Sequence, residues 1–291
     1  MLRKGDLTQG GITGTLLHFT LPMMVGSFLQ QCYNIADTLI VGQCIGAGAL
    51  AAVGSAYTLM VFLISVLLGL AMGSGTVFSL HYGAGNHVAL RRSIFSSFVL
   101  IGIVTLILNV AVFIWLDPIL RLLQVPQDIY GMMRSYSWII FCGIVFTFIY
   151  NFYASLLRAV GDSVTPLWFL AVSVVLNIAL DLFFILQLDW GIQGAAAATV
   201  LAQGVAALGI IIYTYRRRPE LRWHHEDMCF DRTCLKEIAS FSTLTCVQQS
   251  VMNLGILMIQ GLVNSFGTAV MAAFAAAVKL SLIHISEPTR P

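Results

Sequence analysis

The feature that most constrains this chain is an apolar stretch, Phe19 to Gln43, with a carboxylate in its second half. The stretch is long enough to cross a bilayer as a helix, although Pro22 lies near its start. A charged side chain at membrane depth costs roughly 3 to more than 10 kcal/mol. Asp37 is therefore predicted to be a functional site; the alternative is a carboxylate held by structural hydrogen bonds in a helix bundle. Residues three, four and seven apart share a helix face, and one such face carries Gln30, Tyr33, Asn34 and Asp37.

The composition of the whole chain is that of a polytopic membrane protein. Hydrophobic residues make up 58% of it and charged residues 10%, with a mean hydropathy of +0.89, whereas about a quarter of an average soluble domain is charged. The net charge of +2 is too small to indicate nucleic-acid binding. The cysteines are scattered, mostly within apolar segments, and predict no disulfide framework. The first apolar segment is too long, and lacks the small-residue pattern, for a cleavable signal peptide.

Windows of about 20 apolar residues predict an all-α fold, with a lobe of six transmembrane helices followed by the start of a second lobe. Turn residues separate the windows, and Pro166 lies at the first turn of the fifth, with Ser163 or Thr165 available as its cap. The predicted spans cover residues 15–42, 50–76, 93–116, 131–157, 166–188, 192–215 and 237–262, and an eighth begins near residue 268.

The distribution of lysine and arginine predicts a cytoplasmic N-terminus, because only Arg121 and Arg134 would then lie outside. The residues inside would be Arg3, Lys4, Arg91, Arg92, Arg158, Arg216, Arg217, Arg218, Arg222, Arg232 and Lys236. Residues 1–235 are predicted to form the six-helix lobe, ending in a cytoplasmic connector, 216–235, and residues 236–279 to begin the second lobe.

The connector contains His224, His225, Cys229 and Cys234. Their spacing matches no standard zinc pattern, so no metal site is predicted there.

A weak internal repeat supports the division into two lobes. The segment GAGALAAV, which begins at Gly46 after the first span, resembles GTAVMAAF, which begins at Gly267 after the seventh. An even number of spans separates the two segments, so they predict a parallel repeat about an axis normal to the membrane. In this register Met258 takes the place of Asp37, and the acid is not duplicated.

The last residues break the apolar pattern of the eighth span. Leu280 to Arg290, LSLIHISEPTR, resemble the in-frame translation of a transposon-type sequencing adapter. Residues 280–291 are therefore expected to be an artefact, and the protein is expected to continue past Lys279. Sequencing of the parent DNA across codon 279 tests this. We expect the frame to continue through further hydrophobic spans, and a stop near codon 290 would contradict the expectation.

A second intramembrane acid, Asp181, lies in the fifth span, four residues after Asn177 and therefore on the same helix face. The sixth span is rich in small residues, which allow close helix approach, and Thr199 offers a hydroxyl from that surface. If the spans converge, two carboxylates, an amide and a hydroxyl meet in a medium of low dielectric. Such a group suits either a proton site or a hard cation such as sodium. The alternative is that Asn177 and Asp181 only hold helices together.

Several patterns together resemble the N-terminal half of the multidrug and toxic-compound extrusion (MATE) transporter family, with the start of its C-terminal half, over about residues 10–279. The residues that carry the resemblance are Pro22 with Asn34-Ile-Ala-Asp37-Thr and Val41-Gly42, Gly83-Ala-Gly-Asn86, Leu157-Arg-Ala-Val-Gly-Asp162 with Thr165-Pro166, Asn177 with Asp181, and Gly194-Ala-Ala-Ala-Ala-Thr199.

The resemblance implies twelve helices in two six-helix lobes around a central cavity. It also implies a monomeric transporter in a bacterial plasma membrane, which exports drugs and is driven by a proton or sodium gradient. It implies that Asp37, Asn177, Asp181 and Thr199 form the ion or proton site and that Pro22 is a hinge. Pro22 removes the helical hydrogen bond to the carbonyl of His18. Cavity-lining candidates are Gln30, Tyr33 and Asn34 in the first span and Tyr150 and Tyr153 in the fourth, where packing is the alternative for the two tyrosines.

The predicted function is a cation- or proton-coupled antiporter that exports organic, often cationic, compounds, with the bilayer as its environment and no cofactor besides the coupling ion. One alternative is a flippase for lipid-linked glycans, for which several basic residues would be expected in the cavity. The other is a membrane receptor or scaffold without a transport cycle. No arrangement of nucleophile and base indicates an enzyme.

Overall fold

The described part of the chain is helical throughout its regular structure. The structure is a computed structural model that describes residues 12–223 and 232–285, and no strand occurs within those ranges. A π-helical turn, Phe183–Gln187, follows α6, and a 3-10 turn, Pro219–Leu221, follows α7. The helices are α1 (Ile12–Cys44), α2 (Ala47–Gly83), α3 (His87–Leu122), α4 (Gln127–Cys142), α5 (Ile144–Ala159), α6 (Val164–Leu182), α7 (Gly191–Arg217), α8 (Arg232–Asn264) and α9 (Thr268–Ile285).

These helices make the chain an all-α polytopic membrane protein, as the sequence predicts. Within the described ranges, five helices are long and apolar enough to cross a membrane, and a bent pair makes a sixth. That pair is α4 and α5, which meet at Gly143 with a bend of 48°. The single span expected over 131–157 is therefore two helices. The expected span 15–42 lies within α1, which is not among the five helices, because polar side chains interrupt its apolar stretch. The expected span 166–188 matches α6 with its π-helical turn and ends one residue beyond Gln187.

The predicted cap of α6 is replaced by a neighbouring residue. Neither Ser163 nor Thr165 caps the helix through its own side chain; the Asp162 carboxylate accepts from the backbone N–H of Thr165 at 3.0 Å and from its hydroxyl at 2.8 Å. Asp162 also forms an ion pair with Arg218, at 3.3 Å. One carboxylate therefore fixes the start of α6 and ties it to the end of α7.

The two glycines of the sequence repeat occupy equivalent turns. Gly46 joins α1 to α2 with φ of 113°, and Gly267 joins α8 to α9 with φ of 91°. Both lie in the left-handed region that favours glycine. The shared turn geometry is what a parallel repeat would produce at these positions. The eight residues from 224 to 231 in the predicted connector, and residues 286–291 of the suspected adapter, lie outside the described residues.

Helix α2 runs through the middle of the bundle and makes its most extensive contact with α8. At one end of this contact Gly69 and Gly73 face the backbone of α8 at Cys246 and Ser242, where even a methyl group would meet main-chain atoms. Glycine therefore allows the two backbones to touch, as small residues do in membrane helix pairs.

The other end of the contact between α2 and α8 is polar and fully buried. Gln260 donates from its amide to the Ser55 hydroxyl and to Asn264 Oδ1, at 2.8 Å in both cases. Asn264 donates in turn to the backbone carbonyl of Leu123, at 2.8 Å. The start of the predicted second lobe is thus joined to α2 and α3 by hydrogen bonds rather than by apolar contact alone.

Substitution of Gly143 by alanine is expected to destabilise the protein by roughly 1–3 kcal/mol, because an added methyl group overpacks the bend. A Cβ atom at Gly143 would lie 2.5 Å from a methyl carbon of Val200 in α7. Thermal unfolding of the purified protein in detergent would measure the loss. Replacing Val200 by alanine in the same chain should restore most of it.

The matched control is Gly131→Ala in α4, where nothing lies within 4 Å of the added atom. This change should stabilise slightly, because alanine is the better helix former. An equal loss in both variants would contradict the proposed clash at the bend.

Candidate functional site

The central feature of the described bundle is a cavity of about 280 Å³ whose walls come from α1, α2, α4, α5, α6 and α7. Its apolar part is formed largely by α2, through side chains such as Met60 and Ile64. Its polar part is formed mainly by side chains of α1, α5, α6 and α7. Within the described residues no lysine, arginine or histidine contributes to the wall, so the charge offered to a ligand there is negative.

Asp37 is buried in this wall, with 7% of its surface exposed. One turn earlier on α1, Asn34 donates to Gln31 Oε1 at 3.2 Å and to the Tyr57 hydroxyl of α2 at 3.4 Å. The hydroxyl of Thr38 donates to the backbone carbonyl of Asn34 at 2.6 Å. The polar face predicted for α1 therefore points into the bundle, where its side chains contact one another and α2.

Asp181 lies next to the cavity but behind its wall, and is fully buried. The amide of Asn177, oriented to satisfy both of its neighbours, donates to Asp181 Oδ2 at 2.8 Å and accepts from the backbone N–H of Thr199 at 3.2 Å. The hydroxyls of Thr199 and Tyr33 are 3.3 Å apart. A hydrogen-bonded chain thus runs from Asp181 in α6 through Thr199 in α7 to Tyr33 in α1.

Asp37 and Tyr33 line the same cavity wall, and Asp181 is linked to the Tyr33 hydroxyl through Asn177 and Thr199. The second oxygen of Asp181, Oδ1, is buried with no hydrogen-bond partner among the described residues. A buried carboxylate oxygen without a donor is costly. The arrangement therefore suits a bound proton or a small hard cation, either of which would supply the missing partner.

The side chains of the site offer oxygen atoms as ligands to a cation. Among residues 12–223 and 232–285, no cluster of three or more His, Cys, Asp and Glu side chains could hold a metal ion. The π-helical turn Phe183–Gln187 begins two residues after Asp181. Such turns often mark functional sites, and this one ends the regular helix just beyond the carboxylate.

The structure places the other predicted residues in three different surroundings. Gln30, Tyr33, Asn34 and Tyr150 line the cavity. Tyr153 does not line the cavity. It is buried among aromatic rings, and its ring centroid lies 5.6 Å from that of Phe152 and 6.5 Å from that of Phe98. It lies three residues after Tyr150, on the part of α5 that contacts Phe98 of α3. Pro22 lies inside α1, which is helical on both sides of it, and borders a second pocket.

Sequence reasoning missed several polar residues of the wall. Thr147 of α5 donates from its hydroxyl to Gln203 of α7, and Tyr57 and Tyr136 enter from α2 and α4. Gln203 is four residues after Thr199 and could have been found from that spacing. Tyr57 and Tyr136 carry no comparable signal, because their own helices show no polar face that would point to the cavity.

Comparisons with known proteins agree on one family. The family profile MatE matches residues 22–183. The chain is 33% identical over 289 residues to the probable multidrug resistance protein YpnP of Bacillus subtilis (strain 168), covering 97% of this chain and 63% of that protein. It is 31% identical over 210 residues to the multidrug export protein MepA of Staphylococcus saprophyticus, covering 69% and 45%. The chain thus spans about three-fifths of the length of the first of these relatives.

Solved structures share the fold. One is the inward-facing conformation of a multidrug resistance MATE family transporter of the MOP superfamily, at 25% identity and a TM-score of 0.81, covering 93% of this chain and 62% of that one. Another is an outward-facing conformation described in the same terms, at 22% identity and a TM-score of 0.80, covering 98% and 70%. The two scores are nearly equal, so they identify the fold without choosing between the conformations.

Substitution of Asn177 by alanine is expected to lower stability by roughly 1–3 kcal/mol, because Asp181 would lose a buried hydrogen bond. The measurement is again thermal unfolding in detergent. Ser173→Ala is the control, since Ser173 lies one turn earlier on the same helix and the same cavity wall. The stability of the Ser173→Ala variant should fall by no more than about 0.5 kcal/mol. Equal losses in the two variants would show that the hydrogen bond to Asp181 contributes nothing.

Proposed function

Because the chain belongs to the MatE family, we propose that it forms the ion-coupling lobe of a multidrug efflux transporter. The transporter would be an antiporter that exports organic, often cationic, compounds from the cytoplasm in exchange for a proton or sodium ion. The observation that carries the proposal is the chain from Asp181 to Tyr33, beside Asp37 at the wall of a 280 Å³ cavity. The names of the relatives, which are multidrug resistance and multidrug export proteins, support it.

The lining of the cavity suits organic cations. Tyr33, Tyr57, Tyr136 and Tyr150 offer aromatic rings around the carboxylate of Asp37. Aromatic faces attract cations, by about 0.5–2 kcal/mol per contact. The rest of the wall combines apolar side chains with amides and hydroxyls, and such a mixture is typical of pockets that bind organic ligands.

The surroundings of Asp181 favour the proton as coupling ion. The Asn177 amide donates to Asp181 Oδ2 over 2.8 Å. The other carboxylate oxygen, Oδ1, is buried and has no hydrogen-bond partner among the described residues. A proton on this carboxylate would remove the cost of holding a charge in a buried position.

The proposed transport cycle follows from protonation of the two acids. Protonation from outside would neutralise Asp37 and Asp181, remove their repulsion and let α1 repack against α6 and α7, with which it is in contact. Repacking of α1 would close the tyrosine-lined wall and release the drug outwards. Pro22 would be the point where α1 bends, since the helix lacks one backbone hydrogen bond there. Loss of the proton to the cytoplasm would reset the cavity.

A glycan flippase is less well supported. A pyrophosphate-linked substrate would require basic groups in the cavity, and none occurs in the wall formed by the described residues. Arg134 falls near the outer end of the predicted span 131–157, and it forms an exposed ion pair with Asp117 at 2.8 Å. A receptor or scaffold without transport would need no acid on the cavity wall. We further propose a monomer in a bacterial plasma membrane with the N-terminus in the cytoplasm.

Asp37→Asn is expected to abolish gradient-driven efflux, because the amide cannot bind and release a proton, while membrane insertion is retained. Efflux of a fluorescent cationic dye from proteoliposomes of the intact protein would measure this. Asp189→Asn is the control, since Asp189 is exposed and lies outside the helices. Wild-type efflux by Asp37→Asn would refute the assignment.

A proton gradient without sodium should drive the same dye efflux, if protonation of Asp181 couples transport. A sodium gradient, with equal pH on both sides of the membrane, should then give no more dye efflux than the Asp181→Asn variant shows. Efflux driven by sodium alone would reject proton coupling and leave the antiporter assignment intact.

A further inference from the structure

A second pocket, of about 320 Å³, lies between α1, α5 and α6. It shares Gln30, Tyr150, Asn151 and Leu170 with the central cavity and extends from there towards the start of α6. The loop between α5 and α6 belongs to the side that the lysine and arginine distribution assigns to the cytoplasm. The pocket therefore opens beside the drug cavity at the level of the inner leaflet.

Arg158 is the one charged residue in the described wall of this pocket. Its guanidinium is half-buried and makes no hydrogen bond or ion pair with any part of the chain that the structure describes. The nearest acid in the sequence is Asp162, which is already engaged by Thr165 at 2.8 Å and by Arg218 at 3.3 Å. A partly desolvated arginine therefore faces a pocket without a counter-ion from the residues that the structure describes.

The remaining wall divides into a polar and an apolar part. Ser27, Gln31 and Ser163 offer hydrogen-bonding groups, and Pro22, Met23 and Leu167 form an apolar side. A ligand that fits both parts has one negative charge with several acceptor oxygens and a hydrocarbon portion. The guanidinium is suited to such an oxyanion, because its planar fork donates two parallel hydrogen bonds.

We propose that this pocket binds the phosphate group of an anionic phospholipid from the inner leaflet, with Arg158 on the phosphate and an acyl chain along Pro22, Met23 and Leu167. Basic pockets between transmembrane helices on the cytoplasmic side bind anionic headgroups in this way. A zwitterionic lipid fits less well, because no carboxylate in the described wall would pair with its ammonium group. Free phosphate would leave the apolar side uncovered.

The site goes beyond the transport proposal, since it assigns a ligand other than drug and coupling ion. The lipid would contact α1 at Pro22 and along the turns that follow it, from Met23 to Gln31. It would therefore touch the segment that has to move if Pro22 is a hinge. The identity of the surrounding lipid would then affect the position of α1, whichever ion drives transport.

Titration of the intact, delipidated protein with phosphatidylglycerol, followed by native mass spectrometry, tests the site. Arg158→Gln should weaken binding by roughly tenfold or more, the effect of losing a charge-assisted hydrogen bond. Arg216→Gln is the matched control, because it removes the same charge from an exposed position on the same side and should change binding less than twofold. Equal weakening in the two variants would overturn the proposal.

Two further arms identify the ligand. Phosphatidylcholine should bind wild type no better than it binds Arg158→Gln, and millimolar inorganic phosphate should fail to displace phosphatidylglycerol. Displacement by phosphate would reassign the pocket to free anions, and equal binding of both lipids would reject selectivity for anionic headgroups; either result overturns the lipid proposal.

If Arg158→Gln fails to fold, Ser27→Trp provides an independent variant. Ser27 is an exposed wall residue, so a large side chain there fills the pocket and leaves Arg158 in place. It should also weaken phosphatidylglycerol binding by about tenfold, comparable to the loss of a buried contact. Unchanged binding in this variant would show that the lipid binds elsewhere.

Discussion

Two carboxylates inside a helix bundle set the conditions that the rest of this structure has to meet. A bilayer offers no water to stabilise them, so each needs polar neighbours from the protein or an ion. Asp37 lies beside Asn34 on a polar face of α1, and Asp181 accepts a hydrogen bond from Asn177. The partners come from three helices, α1, α6 and α7, so the charge requirement also dictates which helices pack together.

Departures from regular helix geometry occur around the same site. The bend at Gly143 separates α4 from α5 and lets Val200 of α7 approach the backbone closely. The π-helical turn Phe183–Gln187 ends α6 just beyond Asp181. A bundle of straight, regular helices would pack more simply, but each break changes the direction of a side chain or a helix next to the polar chain. In this structure, regularity is lost where several helices must reach one point.

The sequence predicted the fold class and most of the spans, because length and hydropathy alone determine which segments can cross a bilayer. It also predicted the acids and amides that lie on single helix faces, since a spacing of three or four residues is enough to align them. It could not predict contacts between helices, such as Tyr33 with Thr199, nor the bend at Gly143. Tyr153 shows the limit clearly: its sequence neighbour Tyr150 lines the cavity, whereas Tyr153 packs among phenylalanines.

The separation of the site along the chain has a consequence for biosynthesis. Asp37 belongs to the first helix, whereas Asp181 lies 144 residues and Thr199 lies 162 residues further along the chain. At about 5–20 residues per second, the ribosome needs roughly 7–30 s to reach Asp181 after Asp37. During that time α1 must enter the membrane without the helices that later surround its carboxylate. The nascent helix therefore has to keep Asp37 protonated, or in contact with water or the insertion machinery, until α6 and α7 arrive.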